Sequence, residues 1–342
     1  MTFWNHKRVL VTGGAGFIGS HLVETLLKHA PGVRVTVADL MTGEHRRNLS
    51  AVIKDVRVLK ADLRDLAACR RVCRGQDVVL NLAAVVAGVG YNMKHNGSMF
   101  LDNMRLGLNV IDAARRENVG RFLVVSSACV YPRLCAIPTP ETEGFRESPE
   151  ETNEGYGWAK RMNEFLGRTY SQEFGMEVAI VRPYNAYGPR DHFDLEKSHV
   201  IAALVRRILS GEDPVPVWGD GKVTRAFLYV EDFARGLLEV AERYPKADPV
   251  NIGSADEISI ADLARAVVKA CGSKARLVFD PTKPSGQPRR ACDTRKAERL
   301  VGFKARVCLE EGLRRTVAWY REQLGPRATS PSRSRAKSSS LS

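Results

Sequence analysis

The feature that most constrains this chain is a glycine pattern set between an apolar run and an amphipathic one. The segment RVLVT (8–12) leads directly into Gly13-Gly14-Ala15-Gly16-Phe17-Ile18-Gly19, and a helical repeat of apolar residues begins inside the pattern. Glycines at 13, 16 and 19 permit a tight turn, close approach of backbone to a pyrophosphate, and close packing of helix on strand, while a helix N-terminus favours an anion. Alone, the spacing fits any tight turn. Placed after a first strand and before a second, it predicts a dinucleotide site. Further apolar runs, RVTVAD (34–39), VRVLK (56–60), DVVLNL (77–82), RFLVVS (121–126) and EVAIVRP (177–183), alternate with helical patterns over 17–28, 66–73, 98–118 and 156–174. Repeated βα units predict an α/β fold built on a Rossmann-type doubly wound parallel sheet.

After Pro183 the punctuation changes: PYNAYGPRD, GEDPVPVWGDGK and DPTKPSGQPRR interrupt shorter helical patterns near 197–210, 231–243, 259–271 and 309–323. We expect an NAD-binding domain over 1–182 with a returning segment near 225–255, and a smaller, interleaved α/β substrate lobe over 183–324. The stretch 325–342, rich in Ser and Arg, is expected to be a disordered basic tail. Composition narrows the class. With 342 residues, 44% hydrophobic and 27% charged, the chain suits two globular domains. No apolar run approaches the roughly 20 residues of a membrane helix, and the lead MTFWNHKR has no apolar core or cleavage site. A cytoplasmic protein without a membrane partner is expected. The seven cysteines form no Cys-x-x-Cys pair, which argues against zinc, and disulfides are not expected in that compartment. The formal charge of +13 fits an anionic small substrate, and nothing beyond that charge speaks for nucleic acid.

Asp39 ends the second strand. A carboxylate there accepts hydrogen bonds from both ribose hydroxyls of NAD and repels a 2′-phosphate, so NAD is expected over NADP, with Arg46 and Arg47 close by in sequence. Asp62, just after the third strand, is either an adenine contact or a turn carboxylate. Tyr156-Gly-Trp-Ala-Lys160 opens a predicted helix, which puts Tyr and Lys on one face. An ammonium beside a phenol stabilises the phenolate and lowers the tyrosine pKa from about 10, making a base for a hydroxyl proton.

The segments TGGAGFIGSHL (12–22), NLAA (81–84), SSACVYP (126–132), YGWAK (156–160), RPYNAYGP (182–189), RAFLYVED (225–232) and VNIGS (250–254) together resemble the extended short-chain dehydrogenase/reductase family, in its nucleotide-sugar epimerase and reductase branch, over roughly residues 7–324. The resemblance implies that Ser127 bonds the reacting sugar hydroxyl, that Tyr156 is the base, and that Lys160 holds the nicotinamide ribose and tunes Tyr156. It also implies cofactor contacts from Gly13, Gly16, Phe17, Ile18, Gly19, Asp39, Asp62, Leu63, Leu82, Ala83 and Ala84.

Ala128-Cys129 stands where the 4,6-dehydratases resemble Asp-Glu, so elimination of water is poorly supported. Cys129-Val-Tyr-Pro is similar to the GDP-mannose 3,5-epimerases and GDP-fucose synthases, in which such a cysteine is one acid/base of a pair. Its partner by resemblance is His199, within Ser198-His199-Val200, with Lys197 as the alternative. A ketone at carbon 4 acidifies the hydrogens on carbons 3 and 5, and a thiol of pKa about 8.5 with an imidazole near 6.5 can deprotonate one face and reprotonate the other. Cys129 as a small buried hydrophobe and His199 as a helix-start residue are the bland alternatives. Asp39 and LMTGEHRRNL look like the NAD-retaining epimerases, so epimerisation at carbon 5, carbon 3 or both of a GDP-hexose is expected; a 4-epimerase and a fucose-synthase-like epimerase/reductase are the alternatives. By resemblance Asn185, Trp218, Arg225 and Arg289 meet the nucleotide-diphosphate sugar, although Trp218 also fits lobe core and Arg289 a pair with Asp293. A homodimer through the helices near 98–118 and 156–174 is likewise expected.

Overall fold

The computed structural model describes residues 3–43, 45–195, 198–283 and 287–325; Lys197 and all of the basic tail except Gly325 lie outside them. The first half runs β1 (Arg8–Thr12), α1 (Phe17–His29), β2 (Arg34–Asp39), the single turn α2 (His45–Asn48), β3 (Val56–Lys60), α3 (Leu66–Cys73), β4 (Val78–Asn81), α4 (Val89–Lys94), α5 (Asn96–Arg116), β5 (Arg121–Val125), α6 (Glu154–Phe174) and β6 (Glu177–Pro183). The second half runs β7 (Ala186–Tyr187), α7 (Val200–Leu209), β8 (Val215–Trp218), β9 (Thr224–Ala226), β10 (Leu228–Tyr229), α8 (Val230–Arg243), β11 (Pro249–Ile252), β12 (Glu257–Ser259), α9 (Ile260–Ala270), β13 (Leu277–Asp280), β14 (Arg289–Arg290), α10 (Arg295–Val301) and α11 (Leu309–Leu324).

Seven strands form the main sheet in the order β11-β6-β5-β4-β1-β2-β3, every neighbouring pair parallel. The strands are apolar on both faces because helices cover both. Strand alternation sorts their residues: Val9 and Val11 pack with Leu22 of α1 and Leu237 of α8, whereas Leu10 packs on the opposite face with Val110 and Ile111 of α5. The chain reverses direction of travel across the sheet between β1 and β4, and such a switch point opens a crevice at the carboxyl ends of the strands. The second lobe stands over that edge. It holds a three-stranded sheet, β12-β9-β14, and the pair β13-β8, around a core that includes Val205 of α7, Val217 of β8 and Leu263 and Val267 of α9.

The apolar periodicity of the sequence predicts none of the short helices α2, α4 and α10. Each spans four to seven residues, less than the two turns over which an apolar stripe shows itself.

Candidate active site and dinucleotide cleft

The glycine loop lies at the switch point. Gly13 has φ +62°, and a Cβ built on it would stand 3.0 Å from the Cα of Ala83, so the turn closes directly onto the chain leaving β4. A Cβ on Gly19 would collide with the carbonyl oxygen of Gly13, which is why α1 packs this tightly against the loop. Thr12 ties the two strands: its Oγ1 donates to Asn81 (2.6 Å) and accepts from the N–H of Ala83 (3.1 Å), while the N–H of Leu82 donates to the Thr12 carbonyl (3.2 Å). Phe17 and Ile18 open α1 half-buried, Ala84 is half-buried on the far side of the turn, and Leu63 is buried after β3.

Asp39, buried at the end of β2, accepts from the N–H of Ala15 (3.1 Å), the N–H of Met41 (2.9 Å) and Nδ1 of His45 (2.6 Å). Burial works against its charge, but the bond from His45 and the backbone donors win and hold its pKa below the usual carboxylate value. The His45 imidazole is raised in turn, chiefly by its bond to Asp39. Asp62 sits in an exposed turn and is occupied by Arg64 at 2.7 Å. A turn that admits no side chain at Gly13 or Gly19, a helix N-terminus beyond it and a buried carboxylate on the neighbouring strand fit a dinucleotide.

The candidate catalytic side chains gather at the carboxyl end of β5 and the start of α6. Ser127 caps a single 3-10 turn, Ala128–Val130, its Oγ accepting the N–H of Cys129 at 3.1 Å. A Cβ on Gly157 would collide with the carbonyl of Cys129, so the glycine lets the first turn of α6 dock on that turn. Docked there, Tyr156 lies near both Ser127 and Cys129. Lys160 donates its Nζ to the Val125 carbonyl (2.8 Å), 5.5 Å from the centre of the Tyr156 ring. Burial lowers the Lys160 pKa to about 8, against the opposing pull of Cys129 and Glu164. The Tyr156 pKa moves opposite to expectation: burial raises it, the neighbouring Cys129 adds to the rise, and only the nearby Ser127 hydroxyl opposes. Lys160 spends its proton on Val125, and desolvation of the phenolate outweighs what remains.

Behind this cluster a buried ion pair fixes the elements to one another. Arg182 of β6 grips both oxygens of Glu164 of α6, at 2.8 and 2.7 Å, with the two side chains only 2% and 1% exposed. Glu164 also accepts from Ser126, the residue before Ser127, and Arg182 reaches the hydroxyl of Tyr131 at 3.1 Å.

The second lobe closes the site with two arginines. In the parallel pair β14-β9, Arg290 is the register partner of Arg225 and acts on its charge. Burial, and then Arg290, lower the Arg225 pKa to about 10, while Glu150 opposes. For Arg290 burial works against the charge, but the nearby side chains of Cys129 and Tyr184 outweigh it and raise the pKa. Glu150, buried at 7% exposure beside both guanidiniums, has its Oε1 without a hydrogen-bond partner among the described residues. Arg290 and Glu150 were not singled out in the sequence.

Arg289, which was, turns outward and pairs with Glu257 at 2.6 Å rather than with Asp293. Neighbours on a strand face opposite ways, and the register that decides between 289 and 290 is set by β9, a distant segment. Asn185 donates to the Ala226 carbonyl at 2.8 Å, at the root of β9. Trp218 is 53% exposed on β8 rather than in the lobe core. His199 is exposed at the N-terminus of α7, and among the described residues no bond joins it to Cys129.

The sequence profile of the NAD dependent epimerase/dehydratase family matches residues 9–253. The chain is 32% identical to a dTDP-4-dehydro-6-deoxy-D-allose reductase of Streptomyces sp, over 93% of this chain and 97% of that one. It is 31% identical to the GDP-L-fucose synthase of Escherichia coli K12, over 92% and 97% of the two chains. It is 32% identical to the GDP-mannose 3,5-epimerase of Arabidopsis thaliana, over 94% and 85%. Among solved structures it is similar to a dTDP-glucose 4,6-dehydratase of Streptomyces venezuelae with NAD bound, with a TM-score of 0.82 at 30% identity over 93% of this chain and 98% of the other.

Proposed function

From the premise that the chain belongs to the NAD dependent epimerase/dehydratase family, we propose that it is a nucleotide-sugar epimerase inverting carbon 5, carbon 3 or both of a 4-keto hexose, with a GDP-hexose as the substrate of first choice. The observation that carries this reading is the position of Cys129: its thiol lies close enough to Tyr156 and Arg290 to act on the charge of each, and its backbone N–H is bonded to Ser127. A 4-epimerase needs no such thiol.

The glycine loop, the N-terminus of α1 and Asp39 would hold NAD, which supplies a hydride acceptor and donor for carbon 4. Arg225 and Arg290 side by side present two planar forks suited to a diphosphate. Ser127 holds the carbon 4 hydroxyl and Tyr156, as the phenolate, takes its proton; the Lys160 cation beside the ring favours that form and burial opposes it. Cys129 then exchanges a proton at the carbon next to the ketone. His199, on the lobe side, is the candidate for the opposite face, and Lys197 is the alternative. The exposed apolar side chains of α5 and α6 support a homodimer.

The test is proton NMR in heavy water with GDP-mannose, then other GDP-, dTDP- and UDP-hexoses. Deuterium entering at carbon 3 or 5 is the expected result. Conversion without deuterium sinks the thiol chemistry and leaves a 4-epimerase. A second reading, an epimerase that also reduces its 4-keto sugar, is favoured by the reductase and synthase names among the relatives; net consumption of a reduced dinucleotide would establish it.

A further inference from the structure

The carboxylate of Asp39 is already heavily engaged. A carboxylate has about four acceptor sites, and three are taken, by the N–H groups of Ala15 and Met41 and by Nδ1 of His45. The side chain is only 4% exposed, while that of His45, lying across it, is 26% exposed. His45 is therefore the outer surface that the adenosine ribose meets. We propose that His45, through its hydrogen bond to Asp39, decides whether this site accepts a dinucleotide carrying a 2′-phosphate. The inference rests on Asp39 being the ribose carboxylate.

With His45 protonated, the pair is neutral overall, and the flanking Arg46 and Arg47 are exposed. A 2′-phosphate then meets no net negative charge. With His45 neutral, the pair carries the charge of Asp39 and repels the phosphate. Among the described residues Asp39 is the one charged group acting on the imidazole. The glycine loop offers only backbone, and Lys60 of β3, the register partner of Asp39, is exposed. The ribose diol, in contrast, competes with His45 for the same oxygens, so removing the imidazole frees an acceptor site for NAD.

The experiment is titration of the full-length protein, freed of nucleotide, with NADH and with NADPH, read by dinucleotide fluorescence. A phosphate monoester is almost fully dianionic above about pH 7, so a change in the NADPH/NADH ratio above that pH comes from the protein; Lys160 acts on both dinucleotides alike, whereas His45, raised by Asp39, faces the end that carries the 2′-phosphate. In the unaltered protein NADPH is expected to weaken relative to NADH by on the order of tenfold across that range, as one unscreened charge at close range implies. In His45→Ala, NADH tightens and NADPH weakens, two opposite shifts that general damage to the fold does not produce. His45→Gln keeps a donor that does not titrate, and its NADPH/NADH ratio stays flat with pH. A pH-dependent ratio that persists in His45→Gln, or parallel shifts of both dinucleotides in His45→Ala, overturns the proposal. Failure of both dinucleotides to bind at any pH overturns the underlying assignment of Asp39 instead.

Discussion

At the scale of single residues, burial and hydrogen bonding divide the work among groups of similar chemistry. Tyr156 and Lys160 share a helix face, yet burial pushes the phenol up and the ammonium down to about 8. If the charged ammonium is the working form, activity declines as pH rises through about 8, where Lys160 loses its proton. Lys160→Arg keeps its charge far beyond that range, so its residual activity should lack the alkaline limb; a pH–rate profile that keeps it points to another group. For stability the sign is the reverse. An unfolded lysine titrates near 10.5, so between the two values the unfolded chain binds more protons and the contribution of Lys160 to stability grows with pH. Cys129→Ala should cut deuterium exchange by about 10² to 10⁴-fold, the usual worth of a positioned acid/base, with NADH binding unchanged; exchange at the original rate removes Cys129 from the chemistry. These residues were legible because Ser127, Cys129, Tyr156 and Lys160 lie in short local motifs. Arg290 and Glu150 were not, because what selects them is strand register and a buried charge balance between distant segments.

At the scale of elements, the pair Glu164–Arg182 holds α6 against β6 and, through Ser126, fixes the end of β5 from which Ser127 projects. Removing one partner leaves the other charged and buried, which costs about 3–5 kcal/mol, whereas replacing both with apolar residues of similar volume is often neutral. Glu164→Leu should therefore lower the urea midpoint sharply, and adding Arg182→Met should restore most of it. Equal midpoints for the single and double variants would show that the pair is not the source of the loss. The double variant also strips Lys160 of a carboxylate that raises its pKa, so its alkaline limb should move to lower pH. The long elements could be read from the chain because apolar periodicity over two or more turns, or over a buried strand, has few alternatives. The return of β11 to the edge of the main sheet beside β6 has no such local signature, since Pro249–Ile252 is only four residues long.

At the scale of the whole molecule, the outer surfaces of α5 and α6 carry apolar side chains that the monomer leaves in water: Leu101 at 47% and Leu108 at 43% on α5, and Phe165 at 50% on α6. Leu101 and Leu108 are seven residues apart, two helical turns, and so share a stripe. The same helices bury Val110, Ile111 and Glu164 toward the sheet, so the apolar outer stripe is not needed for the fold of one chain. A twofold pairing of α5 and α6 with their copies covers it without a second kind of surface. If that pairing exists, Leu108→Glu with Phe165→Glu should convert a dimer to a monomer in sedimentation at micromolar concentration. A wild-type protein that sediments as a monomer removes the proposal, and a double variant that stays dimeric moves the interface elsewhere. Because α6 carries Phe165 on its outer side and Tyr156 and Lys160 at its start, the monomer should also lose thermal stability and turnover together. The dinucleotide loop, on α1 across the sheet from α5 and α6, should still bind NADH with unchanged affinity, and that split between binding and turnover separates loss of the interface from loss of the fold.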